Sequence, residues 1–219
     1  MVLPKMIVFD LDDCLWTPEM YTLNEKPSIP KLNTNGLVMG CRFRRGDPLL
    51  ACSLVLGRCS NTCILSEKPP TKVRASTRAS LVEDFLSRTS LNLKLRLSSL
   101  GADVKLALAS SSEEPTFSDS CLEIEIVEGC SMRSLFNDAS LRQIGRRGNL
   151  SSNKITHFTQ LQKATGVDLS HSLFFDDCNW GDHCAVVANE FNVVTQKTPN
   201  GLQWSEFTAA LAKFAACRS

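Results

Sequence analysis

The sequence predicts a doubly wound α/β fold: a Rossmann-like, mostly parallel sheet flanked by helices, cap-less or with a small irregular insert. Short apolar runs alternate along the chain with stretches of helical periodicity, which is the pattern of parallel strands joined by crossover helices. Three of these runs end abruptly in polar residues, and in such folds the carboxyl ends of the strands line the ligand crevice. The 219 residues suffice for one α/β domain with a core, so we expect a single domain over residues 1–219.

The first predicted strand is the apolar run at residues 5–9, which is followed at once by Asp10, Asp12 and Asp13. A run without polar alternation is typical of a central strand of a parallel sheet, buried on both faces. Alternate residues of an extended segment point the same way, so Asp10 and Asp12 can face one crevice. Three neighbouring carboxylates repel one another unless they are solvated or bind a cation. Taken alone, they are also compatible with an acidic turn.

Two further strands, at residues 104–109 and 172–175, are each followed by polar residues. In chain order these polar residues are Ser110, Ser111, Asp176, Asp177 and, five residues beyond, Asp182. The serines offer hydroxyls beside backbone N–H groups at a strand-to-helix turn, which suits phosphate. Carboxylates from two strand ends suit Mg²⁺, which prefers hard oxygen ligands. All of these side chains are expected at one edge of the sheet.

One helix is predicted before the third strand and another after a fourth strand. The first covers residues 153–165 and ends at Gly166, and its second residue, Lys154, can reach the crevice as a point charge. The apolar positions of this helix are Ile155, Phe158, Leu161 and Ala164. Residues 191–195 predict a last strand, and an amphipathic C-terminal helix follows it, built from Trp204, Phe207, Leu211 and Phe214.

The stretch at about residues 30–77 differs from the rest of the chain. It shows no clean periodicity and contains breaker-rich and basic runs, so we expect an irregular or poorly ordered insertion. Four of the chain's ten cysteines lie there, but the chain has no CxxC pair. Reduced thiols in the cytoplasm are therefore expected.

Composition excludes several classes of protein. With 43% hydrophobic and 21% charged residues the chain resembles an ordinary soluble globular protein. A net charge of +1 argues against a dedicated nucleic-acid binder. Because no apolar run approaches about 18 residues, we expect no membrane association, and the first residues do not resemble a signal peptide. We expect a cytoplasmic monomer.

The order Asp10-x-Asp12, Ser110, Lys154 and Asp176-Asp177 resembles the four motifs of the haloacid-dehalogenase-like superfamily. More narrowly, five segments look like the magnesium-dependent phosphatase-1 family. They are Phe-Asp-Leu-Asp-x-x-Leu-Trp at residues 9–16, Ala-Ser at 109–110, Lys-x-Thr-His-Phe at 154–158, Thr-Gly-Val at 165–167 and Phe-Phe-Asp-Asp at 174–177.

This resemblance implies a phosphohydrolase that cleaves phosphate monoesters. Asp10 would attack phosphorus and form an aspartyl-phosphate, and Asp12 would protonate the leaving oxygen and then activate water. Family dehalogenases lack an acid at the position of Asp12, so its presence favours phosphoester chemistry. The implied substrates are phosphorylated small molecules or phosphoproteins, either of the phosphotyrosine type or phosphorylated sugars.

The resemblance also implies how the ligands are bound. Mg²⁺ would be held by the Asp10 carboxylate, the Asp12 carbonyl and Asp177, while Asp176 and Asp182 would support the site. Phosphoryl oxygens would be bound by Ser110, Ser111 and Lys154.

A non-catalytic binding module with the same fold remains an alternative. It is motivated by residues 30–77 and by Ser111, which stands where the phosphatase family often has Arg. A signalling receiver domain also combines acidic residues, a hydroxyl and Lys on such a sheet. It would place its Lys last, whereas Lys154 precedes Asp176 here, and the order therefore argues against it.

Overall fold

A five-stranded, all-parallel sheet with helices on both faces forms the centre of the molecule. The computed structural model describes residues 2–16, 19–23, 26, 104–123, 125–127 and 130–218. Its elements are β1 (Met6–Phe9), β2 (Lys105–Ser110), α1 (Pro115–Leu122), β3 (Glu125–Val127), β4 (Cys130–Ser131), β5 (Arg142–Ile144), α2 (Lys154–Thr165), β6 (Ser172–Asp176), α3 (His183–Phe191), β7 (Val194–Lys197) and α4 (Trp204–Arg218). Short 3-10 helices lie at Met20–Thr22, Met132–Leu135, Ala139–Leu141 and Leu169–His171.

The strand order across the sheet is β5-β2-β1-β6-β7, which makes β1 the central strand. It pairs in parallel with β2 on one side and with β6 on the other, and all four of its residues are buried. Strands β3 and β4 form a separate antiparallel pair. The predicted doubly wound α/β fold is confirmed, and its parallel strands bring their carboxyl ends to one edge.

The alternation of side chains along β1 divides the core into two layers. Ile7 and Phe9 pack into the layer that contains α4, and Met6 and Val8 pack into the layer that contains α2 and α3. Helices therefore cover both faces of the sheet, which is why β1 is apolar at every position.

Helix α2 matches the predicted bounds, but only Phe158 and Leu161 of the four predicted apolar positions are buried. The Asn153 side chain accepts a hydrogen bond from the Ile155 N–H, and Gly166 ends the helix at a φ of +66°. Ile155 is half-buried and Ala164 is exposed, whereas Lys154 and His157 are buried. The apolar pattern misplaced the buried face because the helix turns these two polar residues toward the sheet edge. The remaining buried residues of α2 are Phe158 and Leu161.

The last strand begins later than the sequence predicts. Residues 191–195 were expected to form it, but Phe191 is the final residue of α3 and Asn192 ends that helix at a φ of +54°. Asn tolerates this left-handed conformation better than most residues, so the helix can stop there. The strand that follows is Val194–Lys197.

The insertion predicted at residues 30–77 lies outside the described residues, and the single-domain organisation stays a prediction. In the part of the chain that the structure describes, no helix is long and apolar enough to cross a membrane. The C-terminal helix is confirmed as Trp204–Arg218, and its buried residues are Phe207, Ala210, Leu211 and Phe214.

We expect Phe207→Ala to lower the free energy of unfolding by about 3–5 kcal/mol, because it leaves a cavity in the core. The Phe207 ring is buried and stacks on Phe175, with 5.5 Å between ring centroids, and Phe175 in turn stacks on Phe9 at 5.3 Å. Thr208→Ala, at the next and exposed position, is the matched control and should change the free energy by less than about 0.5 kcal/mol. Urea denaturation measures both, and equal midpoints would contradict the assignment of Phe207 to the core.

Candidate active site

The carboxyl ends of three adjacent strands meet at one edge of the sheet. Asp10 follows β1, Ser110 ends β2 and Asp176 ends β6. A cleft of about 460 Å³ opens at this edge. It is lined by Asp10, Asp12, Glu19, Tyr21, Ser110, Ser111, Ser112, Glu113, Arg146, Asp177, Asn179, Trp180 and His183.

The ammonium group of Lys154 is buried beneath this cleft. Its Nζ donates to Asp10 Oδ1 at 2.6 Å and to the Ala109 carbonyl oxygen at 2.7 Å. It also lies 3.3 Å from Asp176 Oδ2, an ion pair without hydrogen-bond geometry. The Lys154 side chain is only 1% exposed, so the first turn of α2 is tied to the ends of all three strands.

These contacts favour the ionised forms of Lys154 and Asp176. Burial alone would lower the pKa of Lys154, but the Asp10 and Asp176 carboxylates outweigh it and raise this pKa to about 12. Burial would also raise the pKa of Asp176, but the charge of Lys154 and the neighbouring His183 hold it below its usual range. Asp176 Oδ1 further accepts a hydrogen bond from the Cys178 N–H at 2.8 Å.

Three buried carboxylates converge beside this ammonium. Asp10, Asp176 and Asp177 offer ligand oxygens that all lie within 4.8 Å of one another. Burial raises the pKa of Asp177 to about 7, and the Asp10 carboxylate adds to the rise. Three carboxyl groups face the single ammonium of Lys154. Hard oxygen donors with excess negative charge fit a divalent cation such as Mg²⁺.

The Asp12 carboxyl lines the cleft but does not belong to this group of three. Its Oδ1 accepts a hydrogen bond from the Trp16 indole Nε1 at 2.6 Å. Burial raises the pKa of Asp12 to about 7 against the effect of that hydrogen bond, and the Asp10 charge adds to the rise. A carboxyl group with such a pKa can carry a proton near neutral pH and then release it.

Ser110 and Ser111 both line the cleft, and the backbone around them is held firmly. The Ser110 carbonyl oxygen accepts from the Gly145 N–H at 2.8 Å and from His157 Nε2 at 3.1 Å. His157 Nε2 also lies 3.0 Å from the Gly145 carbonyl oxygen. Since both partners of Nε2 are carbonyl acceptors, we assign the proton of the neutral ring to this nitrogen. His157 thereby joins the end of β2 to the end of β5.

Asp182 lies apart from the residues that line the cleft. Its side chain accepts from the Ala185 N–H at 3.0 Å and thus caps helix α3. It also pairs with Lys197, with 2.6 Å between Nζ and Oδ2. The structure therefore places Asp182 in a capping and ion-pairing position.

The sequence did not identify most of the residues at the rim of the cleft. They are Glu19, Tyr21, Glu113, Arg146, Asn179 and His183. Trp180 also lines the cleft, and its position shortly after the second acidic pair is a signal that could have placed it at the rim. Arg146 follows β5, a strand of three residues too short to stand out in the sequence. The Gly145 before it, typical of a turn, could have marked the strand's end.

The rim brings an aromatic pair to one side of the cleft. Trp180 is 73% exposed and Tyr21 36%, and their ring centroids lie 6.4 Å apart in an edge-on arrangement. The Trp180 indole Nε1 donates to Glu19 Oε1 at 2.7 Å, which orients the ring.

Comparisons with known proteins give a family and a distant similarity to solved structures. The family described as Acid Phosphatase matches residues 2–48 and 68–217, and the gap between the two matched stretches, residues 49–67, falls within the predicted insertion. No curated protein matches the sequence. Among solved structures the chain is similar to the N-terminal part of a Bacteroides fragilis protein that contains a phosphatase domain and is complexed with Mg. The identity is 10% and the TM-score 0.39; the match covers 98% of this chain and 40% of that one.

We expect the stability of the protein to fall as the pH drops from about 6.5 toward 4, in part because of His157. Burial and the nearby Lys154 charge lower the pKa of His157 to about 4. In this window the unfolded state binds a proton at this histidine and the folded state does not, so acid favours unfolding, by up to about 3 kcal/mol.

His157→Gln keeps an N–H donor for the two carbonyl groups and removes this titration. The free energy of unfolding, measured by urea denaturation, should therefore fall less between pH 7 and pH 4.5 for the variant than for the wild type. The carboxylates titrate in both proteins, so the difference between the two losses isolates His157. Equal losses would refute the assignment.

Proposed function

The chain belongs to the acid phosphatase family, and from this premise we propose that it is a Mg²⁺-dependent phosphohydrolase. It would cleave phosphate monoesters through an aspartyl-phosphate on Asp10, with Asp12 as general acid and base. The observation that carries the proposal is the convergence of Asp10, Lys154 and Asp177 on the floor of one cleft. The finer likeness to the magnesium-dependent phosphatase-1 family is part of the same proposal.

In the first step a carboxylate oxygen of Asp10 attacks phosphorus, and the bond from phosphorus to the ester oxygen breaks. Lys154 holds Asp10 Oδ1 at 2.6 Å, which fixes the direction of the carboxylate. Asp12, whose pKa is raised to about 7, gives its proton to the leaving oxygen. The alcohol departs neutral, and the phosphoryl group remains on Asp10.

In the second step Asp12, now a carboxylate, takes a proton from a water molecule that attacks the phosphorus. The bond between phosphorus and the Asp10 oxygen breaks, which restores the Asp10 carboxylate and releases inorganic phosphate. The same carboxyl group therefore acts as acid and then as base, which the cleft allows because Asp12 and Asp10 both line it.

The remaining site residues would bind charge. Mg²⁺ would be held by Asp10 and Asp177, and Asp176 lies near both. The Asp12 carbonyl would be a further ligand. The bound Mg²⁺ would supply positive charge for the phosphoryl oxygens. Ser110 and Ser111 would bind these oxygens at the end of β2. Lys154, buried beneath the cleft, would offset the negative charge that grows on the phosphoryl oxygens. Its position between the Asp10 and Asp176 carboxylates supports this role.

The substrate would be a phosphoprotein or a phosphorylated small molecule, of the phosphotyrosine type or a sugar phosphate. The exposed Trp180 and its neighbour Tyr21 favour a flat, aromatic leaving group, because aromatic rings attract one another beyond simple apolar burial. Hydrolysis of an aryl phosphate should therefore exceed that of a sugar phosphate.

We expect wild-type protein to hydrolyse p-nitrophenyl phosphate only with Mg²⁺ present, and EDTA should abolish the activity. Asp10→Asn should lower kcat at least about 10³-fold, because it removes the nucleophile. Asp12→Ala should lower kcat about 10²- to 10⁴-fold, because it removes the acid and base.

Asp13→Asn is the matched control for these variants. Asp13 belongs to the same acidic run but does not line the cleft, and its φ of +54° is one that Asn adopts readily. Its kcat should stay within about twofold of wild type, since its side chain lies outside the proposed reaction. Activity that survives Asp10→Asn would refute the nucleophile. Well-folded but inactive wild type would instead favour the non-catalytic binding module.

Trp180→Ala should lower kcat/KM for p-nitrophenyl phosphate about 2- to 12-fold, the range expected for loss of one aromatic contact. For ribose 5-phosphate the change should stay below about twofold, since no flat ring is lost. Val186→Ala is the control, because Val186 is also an exposed apolar side chain but does not line the cleft. Equal losses on both substrates would argue against the aromatic preference.

A further inference from the structure

The cleft is strongly acidic, although its proposed substrate is an anion. Its carboxyl groups belong to Asp10, Asp12, Glu19, Glu113 and Asp177. Among the described residues that line the cleft, Arg146 is the only lysine or arginine. A phosphate dianion that enters must overcome the repulsion of these carboxylates, so a cation at the mouth has a direct electrostatic effect on binding.

The backbone before Arg146 is fixed beside the end of β2. Gly145 donates its N–H to the Ser110 carbonyl oxygen, and His157 bridges the carbonyl groups of both residues. Gly145 has a φ of +102°, and a Cβ there would lie 3.2 Å from the Pro115 side chain. Only glycine fits this turn without strain, and the turn delivers Arg146 to the cleft.

The guanidinium of Arg146 is held in place from two directions. Its Nε donates to the Ser111 carbonyl oxygen at 2.7 Å, and its Nη1 donates to Glu113 Oε1 at 2.7 Å. The Arg146 side chain is still 44% exposed. Guanidinium carries five N–H donors, so donors beyond these two contacts remain for a ligand.

We propose that Arg146 binds the non-bridging phosphoryl oxygens of the substrate, an inference that rests on the proposed phosphohydrolase function. Guanidinium matches the geometry of phosphate and donates two parallel hydrogen bonds to it. The contacts to Ser111 and Glu113 hold the side chain beside Ser110 before the substrate arrives, so little conformational freedom is lost on binding.

A purely structural role would predict different behaviour. The ion pair of Arg146 with Glu113 joins two exposed side chains, and such pairs contribute little to stability. If pairing with Glu113 were the only role, neutralising Glu113 would make Arg146 dispensable. If Arg146 binds phosphate, it is needed whether or not Glu113 is charged.

The first experiment measures binding of inorganic phosphate to the full chain in the presence of Mg²⁺, by isothermal titration calorimetry. Arg146→Ala should raise the Kd for phosphate about tenfold or more, as expected when charged hydrogen bonds are lost. It should raise the KM for p-nitrophenyl phosphate to a similar extent, because phosphate is the only anionic group of that substrate.

Arg147→Ala is the matched control, because Arg147 is the next residue, carries the same charge and does not line the cleft. It should change both constants less than twofold, and thermal unfolding confirms that both variants are folded. Equal effects of the two substitutions on Kd would overturn the proposal.

The double variant R146A/E113Q separates binding from ion pairing. E113Q alone removes one of the repelling carboxylates and is therefore the reference for the double variant. A Kd for phosphate about tenfold or more above that of E113Q supports the proposal, and a Kd equal to that of E113Q overturns it. The calorimetric readout does not depend on turnover. Wild type that binds phosphate through Arg146 but hydrolyses nothing would refute the proposed function and leave the anion site standing.

Discussion

The buried ammonium of Lys154 is the interaction on which the rest of the site depends. It contacts Asp10, Asp176 and the Ala109 carbonyl oxygen, and thus joins one helix to three strands. A buried charge is tolerable only when it is paired, and loss of one partner from such a group costs about 3–5 kcal/mol. The carboxylates can therefore be buried only because Lys154 is present, and Lys154 can be buried only because the carboxylates are present. This mutual requirement fixes the start of α2, where Asn153 caps the helix.

The site combines a rigid floor with a rim of different origin. The floor comes from residues at strand ends, which the hydrogen bonds of the sheet hold in register. The rim comes from the segments that follow those strands and carries Trp180, Tyr21 and Arg146. In the proposed function, the floor residues and Arg146 bind the phosphoryl group, and the aromatic residues of the rim meet the part of the ligand that varies. Asp12 lies between the floor and the rim, because its carboxyl group lines the cleft and also accepts a hydrogen bond from the Trp16 indole.

Sequence reasoning could predict the features that rest on local pattern and strand order. The apolar runs before Asp10, Ser110 and Asp176 were sufficient to place these residues at one edge of a parallel sheet, and the structure brings them together. The buried face of α2 was not predictable from hydrophobicity, because Lys154 and His157 are polar and are buried for their partners. The rim was missed for another reason: strand β5 is short, and the contact between Arg146 and Ser111 joins residues far apart in the chain.

The central position of β1 has a consequence for how the protein is made. Its neighbours begin at Lys105 and Ser172, and the contact of Lys154 with Asp10 spans 144 residues of sequence. Contacts of such long range form late and slow the folding of a domain. A chain still emerging from the ribosome therefore carries Asp10 long before it can hold the partners of that residue. Since Lys154 contacts residues at the ends of β1, β2 and β6, a chain in which these strands are not yet paired has no assembled site, and activity reports that this part of the sheet has folded.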